Sequence, residues 1–141
     1  AGISCSYGRF ETIGDKTTST ASKIAEAAGD CLVDARDRWK RPYTPANVND
    51  LTYKVELLDP MHSWQRHAGK DAPQVVRLDG TQGVRLHLTN GSSATFLPSV
   101  AKDNKWTTAT YMENLSKKAG GKSLDWKDGV IFLYGTDSYH A

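Results

Sequence analysis

The sequence predicts an α+β fold in which helices pack on a mainly antiparallel sheet. Three features of the 141 residues support this fold class: an early amphipathic helix, a middle region of short alternating segments, and later helices followed by a strand. The middle segments are joined by turns too short for the crossover that parallel strands require. The length fits one domain of ordinary size, so we expect a single domain over residues 1–141.

The chain opens with a predicted strand and a predicted helix. Residues 3–10 are rich in β-compatible side chains and are followed by Gly14, which favours a turn. Beyond this turn, apolar side chains recur with the 3.6-residue period of a helix, at Ile24, Ala27, Ala28, Cys31, Leu32 and Ala35.

A second strand and a long loop are predicted next. Residues 51–58 alternate between apolar and polar side chains, as a half-buried strand does, and Pro60 ends the segment. Residues 61–73 show no sustained period. We therefore predict a long surface loop there, the kind of segment on which binding residues concentrate.

Three short strands are predicted in the middle of the chain, at residues 75–78, 83–88 and 94–97. Asp79-Gly80 and Asn90-Gly91 separate them, and the Asn-Gly pair is a strong hairpin signal.

Two helices and a strand complete the prediction. Pro98 suits the first turn of a short helix, and a longer helix begins near Thr107. Gly120 follows that helix, where a glycine tolerates the left-handed cap. We expect four side chains of this helix and its end to face inward: Tyr111, Met112, Leu115 and Ala119. Val130–Tyr134 is predicted as the closing strand.

The composition does not indicate a nucleic-acid partner, and it excludes a membrane-spanning helix. Eighteen basic against sixteen acidic residues leave a net charge of +2, which is too small to indicate a nucleic-acid partner. The longest apolar runs are far shorter than the ~20 residues that a membrane-spanning helix needs. We expect a soluble protein without a membrane partner.

The cysteines and histidines do not predict a metal site or a cofactor. Cys5 and Cys31 lack the paired spacing of zinc ligands, and whether they form one bridge is left open. His62 and His67 are five residues apart, whereas two ligands on one helical face are four apart. We therefore expect two solvated histidines on a loop.

Two other groups of residues suggest chemistry. A Cys5 thiol or Ser6 hydroxyl at a strand end near Arg9 is a candidate nucleophile, although the spacing assigns no base to it. Arg38 and Trp39 combine a cation with an aromatic face, as nucleic-acid surfaces do. Nearby aspartates halve the local positive charge, so a solvated helix end is the favoured interpretation and nucleic acid is unlikely.

Several motifs resemble the signature half of the AMMECR family, which is named for an AMME chromosomal region protein. They are the strand GVRLHL at residues 83–88, the segment ATFLPSVAKDNKW at residues 94–106 and the helix end LSKKAG at residues 115–120. Arg38-Trp39 followed by Pro42 resembles the family's Arg-Phe-x-Pro segment. Residues 4–9 resemble its Arg-Gly-Cys-Ile-Gly-Thr strand, with Ser6 at the family cysteine, and the helix and strand that usually precede this motif are missing.

The resemblance implies an α+β fold of two unequal lobes with a cleft between them and no settled activity. It also implies an intracellular, cytoplasmic setting, with secretion left open. It also implies Memo-like and radical S-adenosylmethionine proteins as partners. Our leading hypothesis is an accessory factor that binds a small molecule or a protein through the interlobe cleft. The alternatives are an enzyme with a Cys5 or Ser6 nucleophile and a nucleic-acid-binding module. The candidate binding residues are Tyr7, Arg9, Arg38, Trp39, His62, Trp64 and His67.

Overall fold

The computed structural model describes Ala25, residues 28–30 and residues 54–140. The chain divides into two compact units of unequal size, Glu56–Tyr139 and a smaller unit of Ala1–Val55 with His140–Ala141. In the smaller unit, Ala25 and residues 28–30 are helical, as the apolar period predicts. Whether the two units form a single domain stays a prediction.

The described elements combine strands with short helices, which confirms the α+β prediction. The strands are β1 (Lys54–Leu58), β2 (Gln65–Ala68), β3 (Gly83–His87), β4 (Ser93–Phe96), β5 (Val130–Tyr134) and β6 (Thr136–His140). The α-helices are α1 (Ala72–Val75), α2 (Pro98–Asp103) and α3 (Thr108–Lys118), and 3-10 turns lie at Met61–Ser63, Gly69–Asp71 and Asp125–Asp128.

The strands form two sheets. Strands β1 and β6 make a two-stranded sheet, and the larger sheet has the order β2-β5-β3-β4 with every neighbouring pair antiparallel. Because side chains alternate along a strand, the register gives the larger sheet an inner and an outer face. Every helix within the described part of the chain is too short or too polar to traverse a bilayer.

The inner face of the larger sheet packs against α3 and forms the core. Val84 and Leu86 of β3 pair across the sheet with Leu133 and Ile131 of β5, and all four side chains are buried. Helix α3 and the turn after it cover this face with the predicted inward residues, which are buried as well: Tyr111, Met112, Leu115 and Ala119.

Local signals account for the boundaries between residues 83 and 120. Gly91 has a φ of 88° in the turn between β3 and β4, as the Asn-Gly pair predicts. The Thr110 backbone N–H donates to the Thr107 hydroxyl at 3.2 Å, which caps α3. Gly120 has a φ of 84° just past that helix. The predicted hairpin and two helices are therefore confirmed.

Three predictions of secondary structure are wrong. Residues 61–73 are not a structureless loop, since they contain β2, which pairs with β5. Strand β2 is an edge strand with mostly exposed side chains, so it lacks the apolar alternation that marks a half-buried strand. Residues 75–78 are not a strand, because Pro73 lies in the first turn of α1 and Val76 follows it into the core. The strand Val130–Tyr134 is not the last one, since β6 follows.

Candidate functional site

Tyr134, at the end of β5, contacts both Trp64 before β2 and strand β4. Its ring stacks on Trp64 with centroids 4.6 Å apart and planes 23° apart. Its hydroxyl shares a hydrogen bond of 2.6 Å with the Thr95 hydroxyl and donates to the Phe96 carbonyl at 3.1 Å. Burial raises the pKa of this phenol, and the bond to Thr95 opposes the rise only in part. The phenol therefore stays protonated and able to donate.

The position of the Tyr134 ring depends on a glycine in the neighbouring strand. Gly83 pairs with Tyr134, and a Cβ atom at Gly83 would lie 2.3 Å from the Tyr134 Cζ atom. Only a residue without a side chain lets the ring cross β3 and reach Thr95 on β4. The glycine that opens the GVRLHL strand thus has a packing role.

Asp59 is fixed beside the stacked pair. The Trp64 indole N–H donates to the Asp59 carbonyl at 2.7 Å, and the Asp59 N–H donates to the Gly135 carbonyl at 3.0 Å. The Gly135 N–H in turn donates to the Asp59 carboxylate atom Oδ2 at 3.1 Å. Main chain and carboxylate are both held, so the carboxylate has a defined direction.

Asp59, Tyr134 and Gly135 border a pocket of about 270 Å³, which we call the sheet-end pocket. Three separate segments line it. Its polar lining consists of Asp59, Ser63, Gln65, Arg77, Thr81 and Gln82, and the rest is residues 133–135 at the end of β5.

The segment from Arg77 to Gln82 is held by its own side chains. The Arg77 N–H donates to the Gln82 carboxamide oxygen at 2.9 Å. The Thr81 hydroxyl and N–H donate to Asp79 Oδ1 at 2.5 and 3.0 Å. These two hydrogen bonds hold the pKa of Asp79 below its ordinary value, and the bond from the hydroxyl has the larger effect. Gly80 completes the turn with a φ of 82°. The segment thus has a defined conformation at the pocket wall.

A second polar cluster lies on the outer face of the larger sheet. The Arg85 guanidinium donates through Nε to His87 Nε2 at 3.2 Å and through Nη2 to the Ser93 hydroxyl at 2.9 Å. The His87 ring meets the Phe132 ring edge to face, with centroids 5.3 Å apart. Burial, and secondly the charge of Arg85, lower the pKa of His87. A neutral imidazole, which accepts at Nε2, fits this arrangement.

The structure places three of the predicted site residues. Trp64 stacks on Tyr134 beside the sheet-end pocket. His62 is exposed on the 3-10 turn before β2. His67 is half-buried on β2 and borders a different depression, with Arg66, Ala68 and residues 129–130. In the part of the chain that the structure describes, no three histidine, cysteine or acidic side chains are grouped as metal ligands would be.

The other six predicted site residues lie outside the residues that the structure describes: Cys5, Ser6, Tyr7, Arg9, Arg38 and Trp39. Their roles and the interlobe cleft stay predictions, and whether Cys5 and Cys31 form a bridge stays open.

Sequence reasoning missed most of the residues that form the two polar clusters. Arg85 and His87 did carry a signal, because they are two residues apart in an alternating strand and so share its polar face. Asp59, Arg77 and Tyr134 carried none, since their neighbourhood depends on strand order and register.

Comparisons with known proteins give one family and one fold. The AMMECR1 family model matches residues 12–138. The crystal structure of an uncharacterized protein, PH0010 from Pyrococcus horikoshii, superposes with a TM-score of 0.64 at 18% sequence identity. The alignment covers 83% of this chain and 58% of that one, so the chain spans little more than half the length of this relative. The curated proteins contain no match to the chain.

Proposed function

Because the chain belongs to the AMMECR1 family, whose activity is not established, we propose from the geometry that it is an accessory factor that binds a small molecule or a partner protein. The sheet-end pocket is the observation that carries the proposal. It brings six polar side chains from two segments to one end of the larger sheet, beside residues 133–135 at the end of β5. Sites for small molecules hold a few precisely placed polar groups, and such groups make up most of this lining.

The size of the pocket favours a small ligand. Its volume of about 270 Å³ lies just below the ~300–1,000 Å³ of most ligand sites. Two of its lining residues are fixed, since Tyr134 stacks on Trp64 and the Asp59 carboxylate accepts from the Gly135 N–H. A site whose side chains are already positioned loses less entropy when it binds.

The wider proposal extends to a cleft, partners and a compartment. Three features rest on the family resemblance. They are a cleft lined by the opening strand, the Arg38-Trp39 segment and residues 61–73, Memo-like and radical S-adenosylmethionine partners, and an intracellular setting. The alternatives are an enzyme with a Cys5 or Ser6 nucleophile and a nucleic-acid-binding module. No observation on the described residues favours either of them.

The pocket proposal is tested by a screen of small polar compounds against the full chain. Amide signals are followed by NMR in the unmodified protein and in Gly135→Ala, where the added Cβ would lie 2.8 Å from the Asp59 Oδ2 atom. The matched control is Gly29→Ala, whose Cβ meets nothing within 4 Å.

We expect compounds to shift the amides of residues 59–65, 77–82 and 133–135. The shifts should weaken in Gly135→Ala and persist in Gly29→Ala. If every compound leaves these three segments unchanged, the pocket is not the binding site and the proposal fails.

A further inference from the structure

We infer that the sheet-end pocket binds a small zwitterion, a molecule of amino-acid size that carries one carboxylate and one ammonium group. The inference rests on the proposed function, since it names the ligand class of the same pocket. It is argued from the charges, the hydrogen bonds and the size of that pocket.

The charges of the pocket lining balance. Among its lining residues, Asp59 and Arg77 are the ones that carry a formal charge at neutral pH, and the other polar groups are amides and hydroxyls. A ligand with several negative charges, such as a nucleoside triphosphate, would face Asp59 without a second cation from the lining to offset it. A ligand with one charge of each sign complements both the Asp59 carboxylate and the Arg77 guanidinium.

Asp59 supplies the acceptor for an ammonium group. Its Oδ2 atom accepts from the Gly135 N–H at 3.1 Å, and its main chain bonds to Trp64 and Gly135. Its Oδ1 atom accepts no hydrogen bond from the residues that the structure describes. The carboxylate is thus oriented through one oxygen and has the other available for a ligand donor.

Arg77 supplies the donor for a carboxylate. A guanidinium presents a planar fork of N–H groups that fits a carboxylate with two parallel hydrogen bonds. The Arg77 main chain is held by Gln82, and its charge also acts on Asp79. The Asp79 carboxylate already accepts two bonds from Thr81, so Arg77 is not its main source of stabilisation.

The volume limits the ligand to a single small unit. A pocket of about 270 Å³ is smaller than the ~300–1,000 Å³ of most ligand sites, which suits a free amino acid better than a peptide or a nucleotide. Gln65 and Gln82 offer amide groups, and the mainly polar lining suits a ligand with a short polar side chain.

The test is an NMR titration of the full chain with L-serine and with two analogues that each lack one charge. N-acetyl-L-serine has no ammonium group, and L-serine methyl ester has no carboxylate. We expect L-serine to shift the Gln82 and Gly135 amides and each analogue to bind about tenfold more weakly, because a hydrogen bond to a charged group contributes ~1.5–3 kcal/mol and tenfold corresponds to ~1.4 kcal/mol.

Variants localise the two charges. Asp59→Asn and Arg77→Gln should each weaken L-serine binding by about tenfold for the same reason. The control is Arg66→Gln, an exposed arginine on β2 that does not line the sheet-end pocket, and it should leave L-serine binding unchanged.

The outcomes separate the ligand class from the pocket itself. If acetamide or acetate shifts the pocket amides as strongly as L-serine, the pocket is a binding site and the zwitterion inference is wrong. If Asp59→Asn binds L-serine normally, the inference is also wrong. If no probe in the screen moves the pocket amides, the proposed function fails together with the inference.

Discussion

Replacing Gly83 with alanine tests how the Tyr134 ring is held at the sheet-end pocket. The added Cβ would lie 2.3 Å from Cζ and 2.4 Å from Cε2 of Tyr134, whereas ordinary contacts of this kind lie beyond 3.4 Å. The ring cannot retreat without losing its stack on Trp64 and its bonds to Thr95 and Phe96. The substitution therefore acts on the whole Tyr134 network.

The expected loss of stability follows from opposing contributions. Overpacking of a well-filled site costs ~1–3 kcal/mol. Each hydrogen bond of the Tyr134 hydroxyl that breaks costs ~1 kcal/mol more. The change from glycine to alanine also lowers the conformational entropy of the unfolded chain. This effect stabilises the folded chain by ~0.4–1 kcal/mol, because Gly83 does not have a positive φ. We expect Gly83→Ala to lower the free energy of unfolding by about 2–3 kcal/mol.

The assay is urea unfolding followed by tryptophan fluorescence, with Gly29→Ala as the matched control. Gly29 is an exposed helical glycine, and an added Cβ would meet no described atom within 4 Å, so alanine there should stabilise the chain by ~0.5–1 kcal/mol. Repeating Gly83→Ala in a Tyr134→Leu background removes the far end of the ring, and the cost of the alanine should then largely disappear.

Two results would refute this reasoning. One is a Gly83→Ala protein as stable as the unmodified chain. The other is an equal cost in the Tyr134→Leu background, which would place the effect in the strand backbone and not at the ring.

The remaining predictions use the same unfolding assay. Tyr134→Phe loses two hydrogen bonds and should cost about 1–2 kcal/mol; Tyr111→Phe, the matched control, removes a buried hydroxyl that has no partner among the described residues and should be neutral or slightly stabilising, so equal losses would contradict the hydrogen-bond account. The pKa of His87 lies below its ordinary 6.5 in the folded chain, so the unfolded chain binds the proton more readily. The contribution of His87 to the free energy of unfolding should therefore be complete above about pH 6.5 and decrease as the pH falls below it. His87→Gln should reduce this dependence of the free energy of unfolding on pH. An unchanged slope would show that His87 is not the titrating group. Thr107→Ala should cost about 1 kcal/mol through the lost cap of α3, and Thr107→Ser should restore most of it; a failure of serine to do so would assign the loss to packing.

The sequence predicts best where one short segment decides the structure. The Asn90-Gly91 turn, the Thr107 cap and the Gly120 cap each depend on their own backbone geometry, and residues 83–120 fold as predicted. The same region carries the motifs from which the AMMECR family was recognised, and the family match confirms that recognition.

Prediction fails where distant segments decide the structure. Strand β2 is defined by its pairing with β5, more than sixty residues away along the chain, and its own residues show no apolar alternation. The sheet-end pocket depends on the same pairing, because Asp59, Arg77 and Tyr134 meet only once β5 lies between β2 and β3. Composition and residue spacing do not determine this strand order, so they do not predict the pocket.

The most direct measurement of the central claim is a crystal structure of the full chain grown with L-serine. We expect the amino acid in the sheet-end pocket, with its ammonium group at Asp59 Oδ1 and its carboxylate at the Arg77 guanidinium. A pocket that closes on its own side chains, or L-serine bound with neither charge paired to these residues, would contradict it.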